Sequence, residues 1–170
     1  MTLRPATPAD LTALSRLAVE AFVAKFGHLY SAENQAAFLA DSLSEAAFAA
    51  DLRNPERLIQ LAECNGRLTA FAKISLVCGF PDHARGRRTM ELKQLYTDPA
   101  ATGQGLGAAL MDWAMGEFAA RGADEVQISV YAHNHGAHRF YRRYGFDKVA
   151  DITFQVGDHL DPEFLFAQLF

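Results

Sequence analysis

Two cysteines in 170 residues are too few for a disulfide framework, and Cys64 and Cys78 lack the spacing of metal ligands. They read as buried or strand-edge thiols. No apolar run approaches the roughly 20 residues of a membrane span. The opening Met1-Thr2-Leu3-Arg4-Pro5 lacks the apolar centre of a signal peptide, so a cytoplasmic location with no membrane partner is expected. Positive charge is also short: 16 Lys and Arg stand against 20 Asp and Glu, a net charge of -4. Phosphate backbones reward basic surfaces, so nucleic acid is excluded as the main partner, and an amine or a basic peptide is the more natural guest. No repeat, low-complexity tract or linker interrupts the chain, which predicts a single domain over residues 1–170. Half of the residues are apolar and 21% charged, the balance of a soluble globular protein.

The most informative absence is local. From Pro99 to Met111 there is no charged side chain, although Asp and Glu normally enrich a first helical turn. In the middle stands Thr102-Gly103-Gln104-Gly105-Leu106-Gly107, a turn that follows a strand-like run and opens a helix-like one. Backbone N–H groups at such a helix start have no internal partner and face the positive end of the helix dipole, where a pyrophosphate binds best. An anion from outside can take the place of the missing carboxylates.

The rest reads as an α/β chain with much antiparallel pairing. Thr2 to Ala6 is a short strand. Thr7-Pro8-Ala9-Asp10 is a capped entry to a helix with Leu11, Leu14, Leu17, Ala18, Ala21 and Phe22 on one stripe, and Ser31 and Ser44 cap two more helices before Pro55. Leu58 to Ala62 and Leu68 to Val77 form a hairpin at Asn65-Gly66. A loop, Gly79 to Gly86, leads to a strand from Arg87 to Thr97. There the apolar positions change parity between Leu92 and Leu95, which predicts a bulge and a splayed sheet. A helix from Gly105 to Arg121, a strand from Glu125 to Tyr131 and a helix from His135 to Tyr144 follow. Phe146 to Val156 and Phe164 to Phe170 are the closing strands.

With Glu91-Leu92-Lys93-Gln94-Leu95-Tyr96-Thr97-Asp98-Pro99 ahead of the glycine turn, and Asn134, Ala137, Phe140, Tyr141, Gly145 and Phe146 about 30 residues beyond it, nearly the whole chain resembles the GNAT superfamily of N-acetyltransferases. That resemblance implies a mixed, mostly antiparallel, splayed sheet of about seven strands flanked by helices. It implies acetyl-CoA as co-substrate and no metal. Gly103, Gln104, Gly105, Leu106 and Gly107 would cradle the pyrophosphate with backbone amides, and Leu95, Tyr96 and Thr97 would offer main-chain groups to the pantetheine arm and the thioester oxygen. Thr102 stands where the family carries Arg or Gln, a departure that removes one polar contact. Asn134 and Ala137 would border the pantetheine, and Tyr141 would sit beside the thioester sulfur as the acid. Arg139, Arg142 and Arg143 are placed to meet the 3′-phosphate.

The chemistry demands such groups. An alkyl amine with a pKa of about 10.4 is protonated at neutral pH, and freeing its lone pair costs roughly 4–5 kcal/mol. Glu91, just upstream of the predicted splay, is the candidate base, opposed by the plain alternative of a salt-bridged strand carboxylate. The leaving thiolate has a conjugate acid near that of free cysteine, about 8.5, so Tyr141 must at least hydrogen-bond the developing charge or have a lowered pKa. Its plain alternative is a ring packed beneath the coenzyme.

Within the superfamily the chain is most similar to the bacterial polyamine-type, spermidine/spermine-like acetyltransferases. Phe26-Gly27-His28-Leu29-Tyr30, the early helices, and Phe154-Gln155-Val156-Gly157-Asp158 ahead of Phe164-Leu165 carry that likeness, while Ile152 stands where those relatives often have histidine. The resemblance implies direct acetyl transfer to a primary amine in a ternary complex. Alternatives are a protein N-terminal or lysine acetyltransferase and a non-catalytic acyl-CoA-binding module.

Gly103-x-Gly105-x-x-Ala108 also fits a dinucleotide fingerprint, but the acidic residue of such a unit would close the next strand, and Glu125 begins it. No Lys-Ser or Lys-Thr follows the glycines, which excludes a P-loop. His133, His135 and His138 crowd together without a cysteine or carboxylate at ligand spacing. Phe164, Leu165, Phe166, Leu169 and Phe170 on an edge strand predict pairing with a second copy, a homodimer.

Overall fold

A computed structural model describes residues 1–170 as one seven-stranded sheet between two helical layers. The strands are β1 (Thr2–Pro5), β2 (Arg57–Cys64), β3 (Arg67–Ser75), β4 (Thr89–Thr97), β5 (Glu125–Tyr131), β6 (Asp147–Val156) and β7 (His159–Leu169), in the order β1-β2-β3-β4-β5-β7-β6. Every neighbouring pair is antiparallel except β4 and β5. The helices are α1 (Leu11–Phe26), α2 (Ala32–Ser42), α3 (Glu45–Arg53), α4 (Leu106–Ala120) and α5 (His135–Arg143).

Local chemistry explains most boundaries. The Ser31 and Ser44 hydroxyls accept from the Asn34 and Ala47 amides, so both predicted caps are made. Asn65 and Gly66 are left-handed, φ 52° and 74°, and turn the β2–β3 hairpin. At Thr7 the entry begins with one turn of 3-10 helix, Pro8–Asp10, before α1. The Asp10 carboxylate accepts from both the amide and the hydroxyl of Thr7. It also accepts from Arg4, which bridges on to Glu63 of β2 at 2.6 Å and so ties α1 to the sheet edge.

Alternation along the strands sorts side chains into two cores. Val126, Ile128 and Val130 of β5 join Leu106, Leu110, Met111, Ala114 and Phe118 of α4 on one face. Leu61 and Phe71 meet Leu14, Leu17, Phe22, Phe38 and Phe48 of α1 to α3 on the other.

The end of the chain corrects one expectation. The last strand begins at His159 rather than Phe164 and lies between β5 and β6, so it is not an edge. Pro162 would normally demote a central strand, since it has no N–H. Here its carbonyl accepts the Ala132 N–H at 2.9 Å, and the tight turn at Gly157 (φ 57°) sets Val156 opposite His159. Leu165 and Phe166 are therefore core residues, and only Leu169 and Phe170 of that apolar run are largely exposed. The free edge at this end of the sheet belongs to β6.

Candidate active site

The parallel pairing of β4 and β5 is short. Thr89, Met90 and Glu91 lie opposite Glu125, Val126 and Gln127, and there the pairing stops. On the other side of β4, Ile74 lies opposite Leu92 and Lys73 opposite Gln94, leaving Lys93 as the extra residue of a bulge. The bulge adds twist and turns the rest of β4 away from β5. From Leu92 to Thr97 one edge of β4 has no strand partner, and its main-chain groups open into a cleft. That cleft encloses about 1470 Å³ and is lined by Leu95, Tyr96, Thr97, Thr102, Gly103, Gly105, Leu106, Gly107, Asn134, Ala137 and Tyr141, so most of the sequence-predicted binding residues come together. Gln104 is the exception. Its side chain faces a smaller hollow beside Cys64, Arg67 and Asp98.

The glycine turn has the geometry of an anion cradle. Gly103 and Gly105 both have φ of 79°, and Gly105 is the N-cap of α4 with no side-chain cap. A methyl group built on either would meet nothing within 4 Å, so conformation and open approach, rather than crowding, call for glycine there. The amides from Gly103 to Ala108 find no acceptor within the protein, and the first turn of α4 has no acidic residue. These groups fit a diphosphate. Thr102 is exposed, and its hydroxyl turns back to the Pro99 carbonyl at 3.4 Å. A phosphate held at this turn would therefore be gripped by main chain. Gly105→Val is expected to push the free turn out of the left-handed region, at a cost of about 1–2 kcal/mol. That swings the amides away and weakens coenzyme A binding about tenfold. Gly116→Ala, in open space on the same helix, should leave binding unchanged by calorimetry.

Helix α5 delivers Tyr141. The Asn134 side chain caps it by accepting from the Ala137 amide at 3.3 Å. At the other end Gly145 (φ 88°) closes it, with the Phe146 amide donating to the Tyr141 carbonyl. The Tyr141 ring is 8% exposed, between Phe140 and Phe146, and its hydroxyl has no hydrogen-bond partner in the protein. Burial pushes that phenol well above its usual pKa. Of the two options the chemistry left open for Tyr141, a lowered pKa is therefore not the one realised. Arg139 and Arg143 border the same side of the cleft, and Arg143 also lies over the Phe140 ring.

Glu91 stands at the apex, where β4 and β5 are still paired. It is buried, with Lys93 donating to its carboxylate at 3.2 Å, and it lies against Gly79, which has no room for a side chain. Farther out, on the α1 side of the sheet, are two carboxylates the sequence did not single out. Asp161 accepts from the Tyr30 hydroxyl and faces His159 at 3.1 Å. Glu163 accepts from the Ser129 hydroxyl, and burial, reinforced by Asp161, pushes its pKa up to about 7. Both lay hidden in Asp161-Pro162-Glu163, where proline masked the strand. Alternation around it, with both acids on one face, was the available signal.

The α1 side of the cleft is walled by Phe22, Lys25, Phe26, Tyr30 and Phe38, with Phe154 packed against Phe38. There α2 reaches across to the β6–β7 turn, the Asn34 side chain accepting from the Asp158 amide at 3.0 Å. No group of three His, Cys, Asp or Glu is arranged to hold a metal, and no helix is long and apolar enough to cross a membrane.

This architecture recurs in known proteins. The PaiA N-acetyltransferase of Thermoplasma acidophilum, crystallised with coenzyme A, superposes with a TM-score of 0.78 at 19% identity over the full length of both chains. In sequence, the chain is 32% identical over 157 residues to an uncharacterized N-acetyltransferase of Mycobacterium bovis, covering 92% of this chain and 95% of that one. It is 34% identical over 99 residues to the aminoalkylphosphonate N-acetyltransferase of Salmonella typhimurium, 58% of this chain and 62% of that one. The pattern of the Acetyltransferase (GNAT) family matches residues 14–146, from α1 through the glycine turn and the Tyr141 helix. Since that match spans most of the chain and the mycobacterial relative aligns along nearly all of it, the protein belongs to the GNAT family of acetyltransferases.

Proposed function

We propose that the protein moves acetyl from acetyl-CoA to the primary amine of a small cationic molecule, polyamines among the candidates, by direct transfer in a ternary complex. The observation that carries this reading is the opening between β4 and β5. It has an unpaired amide cradle and Tyr141 on the α4–α5 side, and Asp161 and Glu163 on the α1 side. The cleft volume exceeds the roughly 300–1,000 Å³ of an ordinary single-ligand pocket, which suits two substrates meeting end to end. Acetyl-CoA would be held by the main chain of Gly103 to Gly107 and of Leu95 to Thr97, and its thioester supplies the activated acetyl group. A strand amide there can meet charge developing on the thioester oxygen. The closure of α2 onto the β6–β7 turn narrows the acceptor side and favours a small amine over a protein N-terminus or lysine.

Thiol release from acetyl-CoA should appear with polyamines or other small amines and be weaker with peptides. Release with peptides alone would replace the small-amine reading by protein acetylation. No release with any amine, despite coenzyme binding, would leave a binding module. Self-association through the β6 edge is part of the same proposal, and a dimer by sedimentation at micromolar concentration is its expected result.

A further inference from the structure

We propose that Glu163 is the general base that takes the proton from the acceptor amine, on the side of the sheet opening opposite Tyr141. The inference rests on the acetyl-transfer reading above and names a residue for it. Three placements carry it. In the sheet register Glu91 lies opposite Gln127, and Glu163 lies opposite Tyr131, four residues farther along β5. At about 3.3 Å per residue that is roughly 13 Å, well into the opened part of the cleft. Glu91 stays behind at the closed end, paired with Lys93. Glu163 has no Lys or Arg partner; its one hydrogen bond comes from the neutral Ser129 hydroxyl.

The second placement is relative to the acid. Tyr96, reaching in from β4, lines the same opening as Glu163 and Tyr141. Tyr131 and Glu163 occupy the sheet face toward α1, where Phe26 packs on Tyr131, whereas Tyr141 belongs to the core beneath α4. A thioester between them has a phenol on one side and a carboxylate on the other. The third placement is the acceptor wall. Lys25 lines the cleft from α1, Tyr30 follows α1, and Asp161 lies one pleat away on β7, while the β6 residue opposite Glu163 is the uncharged Ile152. Asp161, Tyr30, Tyr96 and Tyr131 are thus the titratable groups facing Glu163, with His159 beyond Asp161. Burial and the Asp161 charge keep its proton affinity high, as a base for an ammonium group requires.

Protons balance across the transfer. The ammonium nitrogen gives one proton to Glu163, which passes it to water, and its freed lone pair forms the C–N bond as the thioester C–S bond breaks. The second proton leaving nitrogen goes to sulfur, whose departing charge is hydrogen-bonded by Tyr141. The products are an amide, a thiol and one released proton.

In Glu163→Gln, calorimetry should show unchanged coenzyme A affinity, since the cradle lies on the other side, while kcat falls about a hundredfold or more. In the wild type, log kcat/KM should rise with a midpoint near 7; in the variant that limb should vanish, leaving only the rise set by the amine itself. A carbon-13 titration of the free protein should find one glutamate carboxyl ionising near 7 that the variant lacks. Retained turnover with the pH 7 limb intact, or an ordinary Glu163 titration, would overturn the assignment while leaving acetyl transfer standing. No thiol release from the wild type would sink the acetyl-transfer reading itself and the base with it.

Discussion

Replacing Tyr141 by phenylalanine is expected to reduce turnover with a competent amine by about a hundredfold to a thousandfold, with little change in stability or in coenzyme A affinity. Phenylalanine keeps the ring between Phe140 and Phe146 and removes only a hydroxyl that bonds to nothing in the protein, so packing is preserved. The chemical loss is specific. Burial raises the phenol's pKa, so it stays protonated throughout the working range. Full transfer to a thiolate whose acid has a pKa of about 8.5 is then uphill, and a hydrogen bond to the developing charge is what the group can supply. In a dry site such a bond is worth far more than in water. Saturation kinetics and calorimetry on the same sample separate the outcomes: a loss in kcat with unchanged Kd supports the role, and unchanged kcat assigns the ring to packing.

Removing the Glu125 carboxylate is expected to have the largest effect on stability, about 3–5 kcal/mol for Glu125→Ala. Glu125 is 0% exposed at the start of β5. It accepts from the amides of Arg85 and Gly86, from the Arg85 guanidinium and from the Thr89 hydroxyl. With Asp124 accepting from the Arg87 and Arg88 amides, it fastens the whole loop before β4. Truncation would strand two amides and a hydroxyl beside an unpaired guanidinium. On heating, that loss corresponds to a drop of roughly 10 °C in melting temperature. Desolvation alone would raise the Glu125 pKa, but these hydrogen bonds outweigh it and hold the carboxyl below its ordinary 4.5. The folded pKa is therefore the lower one. The contribution is present above the unfolded value and fades as pH falls below 4.5 through the folded one, so Glu125→Ala should lose least, relative to wild type, in acid. A variant that melts like wild type at neutral pH would show that the loop holds itself. Turnover should fall as well, because in that loop Gly79 backs Glu91 and Phe80 lines the cleft.

Elements whose causes are local were legible in the chain. Serine caps, the Asn65-Gly66 hairpin, the helix stop at Gly145 and the parity change in β4 depend on neighbours a few residues away, and each stands where the sequence put it. So did the glycine turn, because left-handed backbone and an uncapped helix start are written in adjacent residues. The proposed base, Glu163, was not legible in this way. Glu91 and Glu163 are both strand carboxylates, and nothing local says that one stands at the closed end of the cleft while the other stands without a basic partner in the opening.

By itself the sequence determined the fold class, the left-handed glycine turn ahead of α4 and the helix that carries Tyr141, since periodicity, capping and backbone freedom act over short range. Only the tertiary structure decided that β7 threads between β5 and β6. That insertion carries Asp161 and Glu163 to the α1 side of the cleft, hides Leu165 and Phe166 in the core and leaves β6 as the edge at that end of the sheet. The physical reason is that strand order and the environment of a carboxylate are set by groups distant in sequence. Glu163 is held by Ser129 and surrounded by Tyr30, Tyr96 and Tyr131, and no window of neighbouring residues contains them together.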